Sequence, residues 1–196
     1  MSKIVKLKKG FDINLAGKAK QELSDFASAQ TFAIKPTDFI GFQRPKVLVN
    51  EVDTVKAGTP LLIDKSMDQV IFASPVSGEI VEIKRGDRRK LLEIKILADK
   101  TVTFETSEKL NLGSIDRDTL VGKLAASGVW PNIIQRPFGI IANPADTPKA
   151  IFISGFDTHP LAPDYGFTLQ GEEKYLQAGI DALAKLTSGK VHLNLD

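Results

Sequence analysis

The strongest constraint on the fold is a strand–glycine–strand pattern that occurs twice in the first half of the chain. Val55-Lys56-Ala57-Gly58 leads into Leu61-Leu62-Ile63, and Ile83-Lys84-Arg85-Gly86 leads into Leu91-Leu92-Glu93-Ile94. The glycines, at 58 and 86, lie 28 residues apart, and the second copy has two further residues before its leucines. A unit of this size cannot bury an apolar face by itself, so the two copies are expected to pair about a pseudo-two-fold axis. Short β-branched segments run around them at 47–49, 61–63, 70–72, 80–83, 91–96 and 102–104, between Gly, Pro, Asn and Asp clusters. That spacing predicts a small β barrel or sandwich over residues 1–110, with residues 10–30 as loop or short helix.

After residue 112 the apolar period changes from two to 3.6. Leu120, Val121, Leu124 and Ala125 share one helical face, Asp116 or Ser114 stands at the N-cap position, and Gly128 follows as a stop. Residues 130–148 hold several prolines and read as loop. Ala150–Ile153 is a short apolar strand, and 172–186 a helix with Tyr175, Leu176, Ile180, Leu183 and Ala184 on one face. Val191–Leu195 is a second strand. Strand, helix and apolar strand in this order predict a βαβ crossover, the start of a parallel sheet. The fold class expected is therefore mixed α/β: a β-rich domain at 1–110, then an incomplete Rossmann-like α/β domain at 111–196. One crossover leaves apolar surface uncovered, so the chain is expected to be the N-terminal fragment of a longer protein.

Composition narrows the chemistry. Without cysteine there are no disulfides, thiolate metal sites, cysteine nucleophiles or iron–sulfur ligands in this stretch. A net charge of +2 gives no reason to expect a nucleic-acid partner. The alternating Ile4-Val5-Lys6-Leu7-Lys8-Lys9 is too short and too charged for a signal-peptide core. No apolar run approaches the roughly 20 residues of a membrane-spanning helix. The chain reads as soluble, with no transmembrane segment.

Several stretches invite a chemical reading. Flattened barrels that carry lipoate or biotin hold the modified lysine at a hairpin tip, and Asp64-Lys65 followed by Ala73-Ser74-Pro75-Val76-Ser77-Gly78 has that look. Ser66-Met67-Asp68-Gln69 is expected to lengthen the tip, moving Lys65 off the apex and leaving it a solvated turn lysine. The turn Lys84-Arg85-Gly86-Asp87-Arg88-Arg89-Lys90 has five basic residues and one acidic. It is either a solvated hairpin end or a seat for an anionic lipid headgroup or an acidic neighbour. His159 follows Asp157 at the end of a predicted strand, where open α/β sheets bind ligands, whereas His192 is expected to be a packed or edge residue. Two dispersed histidines make no metal site, and neither a dinucleotide fingerprint nor a P-loop follows any strand.

Taken together in order along the chain, these segments resemble a known family. Lys8-Lys9-Gly10-Phe11-Asp12 with Leu15-Ala16-Gly17, and Asp64-Lys65 leading to Phe72-Ala73-Ser74-Pro75-Val76-Ser77-Gly78, belong to the match. So do Gly128-Val129-Trp130, Arg136-Pro137-Phe138, Pro148–Ser154, and Asp157-Thr158-His159-Pro160-Leu161-Ala162. They are similar to the A subunits of the sodium-translocating NADH:quinone reductases, with His159 where that family usually has Asn. The resemblance implies a barrel-sandwich-hybrid domain without its prosthetic group, followed by a Rossmann-like domain. It also implies a peripheral subunit on the cytoplasmic side of the bacterial inner membrane, partnered by the other subunits. Its role would be in assembly and in quinone binding, with no catalytic residue and no redox cofactor of its own. Flavins and the iron–sulfur centre are expected in other subunits, and ubiquinone is the ligand to consider here. Arg136, Phe138, Asp157 and His159, in proline-rich loops around a strand end, are the quinone-binding candidates. The alternatives are the C subunit of an Rnf-type electron-transport complex and a lipoyl- or biotinyl-like carrier module.

Overall fold

Alternation of apolar residues in 31–98 does what it demands physically: it builds two antiparallel sheets around one core. The structure is a computed structural model that describes residues 10, 15–17, 20–23, 29–159 and 161–195. The segment expected as loop or short helix at 10–30 and the Lys8–Asp12 match fall mostly outside the described residues, as do Pro160 and Asp196. Strands β1 (Thr31–Ile34), β3 (Thr54–Val55), β6 (Gly78–Arg85) and β7 (Leu91–Ala98) form one sheet, ordered β1-β7-β6-β3. Strands β2 (Pro45–Val47), β4 (Pro60–Asp64) and β5 (Met67–Ala73) form the second, ordered β2-β4-β5. Ile80, Ile94 and Ile96 from the first sheet and Leu61, Leu62, Val70 and Phe72 from the second fill the shared core. Stripping each of these branched side chains of water stabilises the sandwich by about 1.5–3 kcal/mol.

Three sequence expectations change here. The two glycine units are not equivalent: β3 and β4 lie in different sheets, whereas β6 and β7 pair with each other as a hairpin. Gly58 has φ +99°, in the left-handed region, while Gly86 is extended, so like sequences make a crossing between sheets in one copy and a hairpin end in the other. The segment 102–104 is no strand. It contributes one parallel bridge, Ala57 to Phe104, held by the Ala57 N–H donating to Thr103 O and the Glu105 N–H donating to Ala57 O. Strand β1, unmarked in the sequence, pairs antiparallel with β7 from Thr31↔Leu97 to Ile34↔Ile94.

The second half follows the 3.6 period closely. Helix α1 (Arg117–Ala126) starts where the Asp116 carboxylate accepts the Thr119 N–H at 2.9 Å and its hydroxyl at 2.6 Å. Asp116, not Ser114, is the cap. Leu120, Val121 and Ala125 bury against β5, joining the helix to the sandwich core. The proline-rich stretch is more ordered than its composition implies. A turn of 3-10 helix at Trp130–Asn132 precedes a hairpin of β8 (Ile134–Gln135) and β9 (Ile140–Ile141), and the buried Trp130 indole donates to Ala142 O at 2.7 Å. Strand β10 (Ala150–Ser154), helices α2 (Tyr165–Thr168) and α3 (Glu173–Ala184) and strand β11 (Lys190–Asn194) follow. β10 and β11 pair in parallel, Ala150↔Lys190 through Ser154↔Asn194, which is the crossover expected.

This small sheet is covered on one side. Ile151, Ile153 and Val191 are half-buried, and Ala182 and Leu183 of α3 reach the core. On the opposite side Phe152 is 68% exposed and stacks on His192, its register partner, with ring centroids 4.8 Å apart. His192 is thus an exposed residue of an open sheet face. Tyr175 and Leu176, on the predicted apolar face of α3, are exposed too.

Candidate functional site

The β4–β5 hairpin tip bears on the carrier question, and its geometry starts from one buried carboxylate. Asp64, only 1% exposed, accepts the Gln43 N–H at 3.0 Å, the Ser66 N–H at 2.9 Å and the Ser66 hydroxyl at 2.5 Å. Burial pushes its pKa up, but the Ser66 hydroxyl and the Ser66, Gln43 and Arg44 amides outweigh burial and hold the carboxyl below its ordinary range. The Lys65 N–H donates to Arg44 O at 3.0 Å, so the tip is tied down on both sides of its turn. The turn itself is Lys65-Ser66, with Asp64 opposite Met67, and Lys65 is exposed at the apex. The expected lengthening of the tip is therefore corrected. The surplus residues lie past the turn: pairing jumps from Asp64↔Met67 to Ile63↔Ile71, leaving 68–70 as a bulge in β5.

The four candidates from the sequence lie in two separate loops. Arg136 and Phe138 occupy the β8–β9 turn, closed by the Gly139 N–H donating to Gln135 O at 2.9 Å; both side chains are exposed, Phe138 by 74%. Asp157 and His159 follow β10. There the Asp157 carboxylate accepts the His159 N–H at 2.9 Å, and the same oxygen lies 2.7 Å from the His159 ring Nδ1. The His159 amide, and then its ring, hold Asp157 below its ordinary carboxylate range. Among the described residues no hydrogen bond or ion pair links the two loops. The Asp157–His159 pair offers a carboxylate-oriented imidazole, and the β8–β9 turn an exposed guanidinium and an exposed aromatic ring.

A concave feature that sequence reasoning missed lies between the sandwich and the loop after α1. A cleft of about 300 Å³ is lined by Ile34, Phe39 and Phe72 on one side, by Gly128 and Pro131 on the other, with Asp38 and Asn132 as polar groups. Phe72 is stacked on Phe42 at 4.1 Å and meets Phe39 edge-on at 4.7 Å, so an aromatic cluster backs the cleft. Gly128 makes the close approach: at φ +77°, a Cβ there would come within 2.6 Å of Ala73 Cβ. The helix stop at Gly128 and the Gly128-Val129-Trp130 match pointed to this loop, but nothing marked Asp38, which follows Pro36 in a turn of 3-10 helix.

A two-sheet sandwich with a carrier-like hairpin, joined through α1 to a parallel α/β unit, defines a barrel-sandwich hybrid followed by an α/β domain. Two family models match the chain consecutively: the NqrA N-terminal barrel-sandwich hybrid domain over residues 5–99, and the NqrA second alpha/beta domain over 115–196. The chain belongs to the NqrA family. Among similar curated proteins, the A subunit of the Na(+)-translocating NADH-quinone reductase of Serratia proteamaculans (strain 568) is 36% identical over 194 residues, 97% of this chain and 43% of that protein. The protein of the same name from Photorhabdus laumondii is 34% identical over 97% of this chain and 43% of its own, and that from Marinomonas sp. (strain MWYL1) is 35% identical over 96% and 42%. The chain thus spans about two-fifths of the length of the relatives it matches. The Rnf-type alternative finds no support in them.

Proposed function

We propose that this chain forms the barrel-sandwich hybrid and second domain of the NqrA component in a sodium-translocating NADH:quinone reductase. The supporting observation is the succession of the two NqrA family matches, at 5–99 and 115–196, together with relatives of that name at 34–36% identity over nearly the whole chain. In this reading the component is peripheral. It sits on the cytoplasmic side of the inner membrane, holds the membrane subunits in place and transfers no electrons itself. Flavin and iron–sulfur chemistry belong to other subunits. The helices described include none long and apolar enough to cross a membrane, so a docked position suits them.

Quinone is the substrate proposed to meet this component, near Arg136, Phe138, Asp157 and His159. The exposed Arg136 guanidinium can donate hydrogen bonds to quinone carbonyls, the His159 ring, with Nδ1–H directed at Asp157, leaves Nε2 to accept one from a hydroquinone hydroxyl, and Phe138 offers a ring face. Photolabelling the whole complex with a quinone analogue and mapping the labelled peptides tests this. Label within 134–141 or 155–162 is expected; label confined to other subunits removes all four residues.

A further inference from the structure

The basic turn left unassigned by that reading has a distinct geometry. β6 and β7 run eight residues each, and their connecting turn, a 3-10 turn at Asp87–Arg89, carries Arg85, Arg88, Arg89 and Lys90, all exposed. Residues 85–90 hold four cations and Asp87, a net +3, while the whole chain carries +2; the remainder is therefore at −1. With Lys3, Lys6, Lys8 and Lys9 near the start of the sequence, this turn is one of two strongly basic segments of the chain. Along the stem, by contrast, charges are matched: Lys84 pairs with Glu93 at 3.4 Å, and Lys95 with Glu82 at 2.5 Å and Glu93 at 3.4 Å. Among the described residues none of the four tip cations has a carboxylate partner.

The backbone departs from the ordinary at the same place. Arg88 (φ 54°) and Arg89 (φ 61°) are consecutive non-glycine residues in the left-handed region, a conformation side chains resist. A turn built only for solubility has no need of two such arginines where Gly or Asn would relax the chain. Leu92, 38% exposed, lies against Gly86 and gives the cations an apolar flank.

We propose that the β6–β7 tip is a contact point for anionic phospholipid headgroups. The tip is narrow and convex, a shape a fluid headgroup layer can surround from all sides, whereas an acidic protein face would need a matching hollow. Arg85 donates to Arg89 O at 3.3 Å, and guanidinium groups without a carboxylate partner can bond phosphate oxygens in pairs, so the +3 tip is drawn to a negative surface. The proposal rests on the proposed function only for a bilayer being near; the binding itself requires no other component of the complex.

Co-sedimentation of the chain with phosphatidylcholine vesicles, with and without phosphatidylglycerol, tests it at low ionic strength. Binding to the anionic vesicles alone is expected, abolished at roughly 0.5 M salt, where screening acts within about 4 Å. The double variant Arg88→Gln/Arg89→Gln is expected to weaken partitioning roughly 30-fold, since each cation contributes roughly fivefold. The double variant Lys100→Gln/Lys109→Gln, with the same loss of charge at exposed positions away from the tip, should leave binding within about twofold. Circular dichroism establishes that both variants are folded. Equal loss in both pairs, binding that survives high salt, or no binding to anionic vesicles overturns the proposal. The last result is also what an acidic protein partner would give. Absence of vesicle binding leaves the assignment to the reductase untouched, because that is tested by activity in membranes.

Discussion

Replacing Asp64 probes the carrier-like tip at its most buried polar group. Asp64→Ala removes an acceptor for two main-chain N–H groups and one hydroxyl, in a site 1% exposed. Hydrogen bonds to a charged group contribute about 1.5–3 kcal/mol each, but water can enter beside a surface turn and recover part of that. The expected loss is about 3–5 kcal/mol for Asp64→Ala and about 1.5–3 kcal/mol for Asp64→Asn, which keeps the volume and one acceptor. The pH dependence has a definite sign. With the folded pKa below the unfolded value of about 3.9, the unfolded chain takes up the proton more readily. The ionised carboxylate therefore stabilises the fold fully above about pH 5, and the contribution is lost as pH falls through the folded pKa. Urea unfolding of the parent and Asp64→Asn, followed by tryptophan fluorescence and circular dichroism, reads both effects. The gap between the two should be widest near neutral pH and close under acid. A loss below about 1 kcal/mol for Asp64→Ala, or a gap unchanged under acid, refutes the reasoning.

Lys65 is expected to stay unmodified in cells containing the lipoate and biotin ligases; a lipoyl or biotinyl increment in the intact mass would restore the carrier reading. Gly128→Ala is expected to cost about 2–4 kcal/mol, because its Cβ would meet Ala73 Cβ at 2.6 Å and φ is +77°; a melting temperature unchanged from the parent contradicts the close approach. His159→Ala should raise the Asp157 pKa only part of the way to its ordinary value in a carboxyl NMR titration, since the residue-159 amide, the larger cause, remains. Full recovery would show that the ring dominates.

What could be read from the sequence was whatever rests on local chemistry. Helix α1 was legible because Asp116, the 120/121/124/125 face and Gly128 each act within a few residues. The β10–α3–β11 crossover was legible because two apolar runs flank a helical period and a parallel pair needs such a connection. The glycine repeat misled because local sequence sets a turn but not the sheet each strand joins; Val55 pairs with Gly78 while Leu62 pairs with Val47 and Phe72. β1 was illegible for the same reason, its partner β7 lying some 60 residues on. The 130–148 stretch was read from its prolines, and the buried Trp130 that orders it carried no periodic signal. Of the site candidates, Asp157 and His159 were chosen for their place after a predicted strand, and the hydrogen bonds between them were not foreseen. The Phe39–Phe72–Asn132 cleft was not legible, because it is assembled from three distant segments.

The central assignment meets its most direct test in native membranes. NADH:quinone reductase activity is measured with and without sodium, before and after deletion of the coding sequence and after its restoration. The assignment predicts loss of the sodium-stimulated component on deletion and its return on complementation. Sodium-stimulated activity that persists in the deletion strain would contradict it.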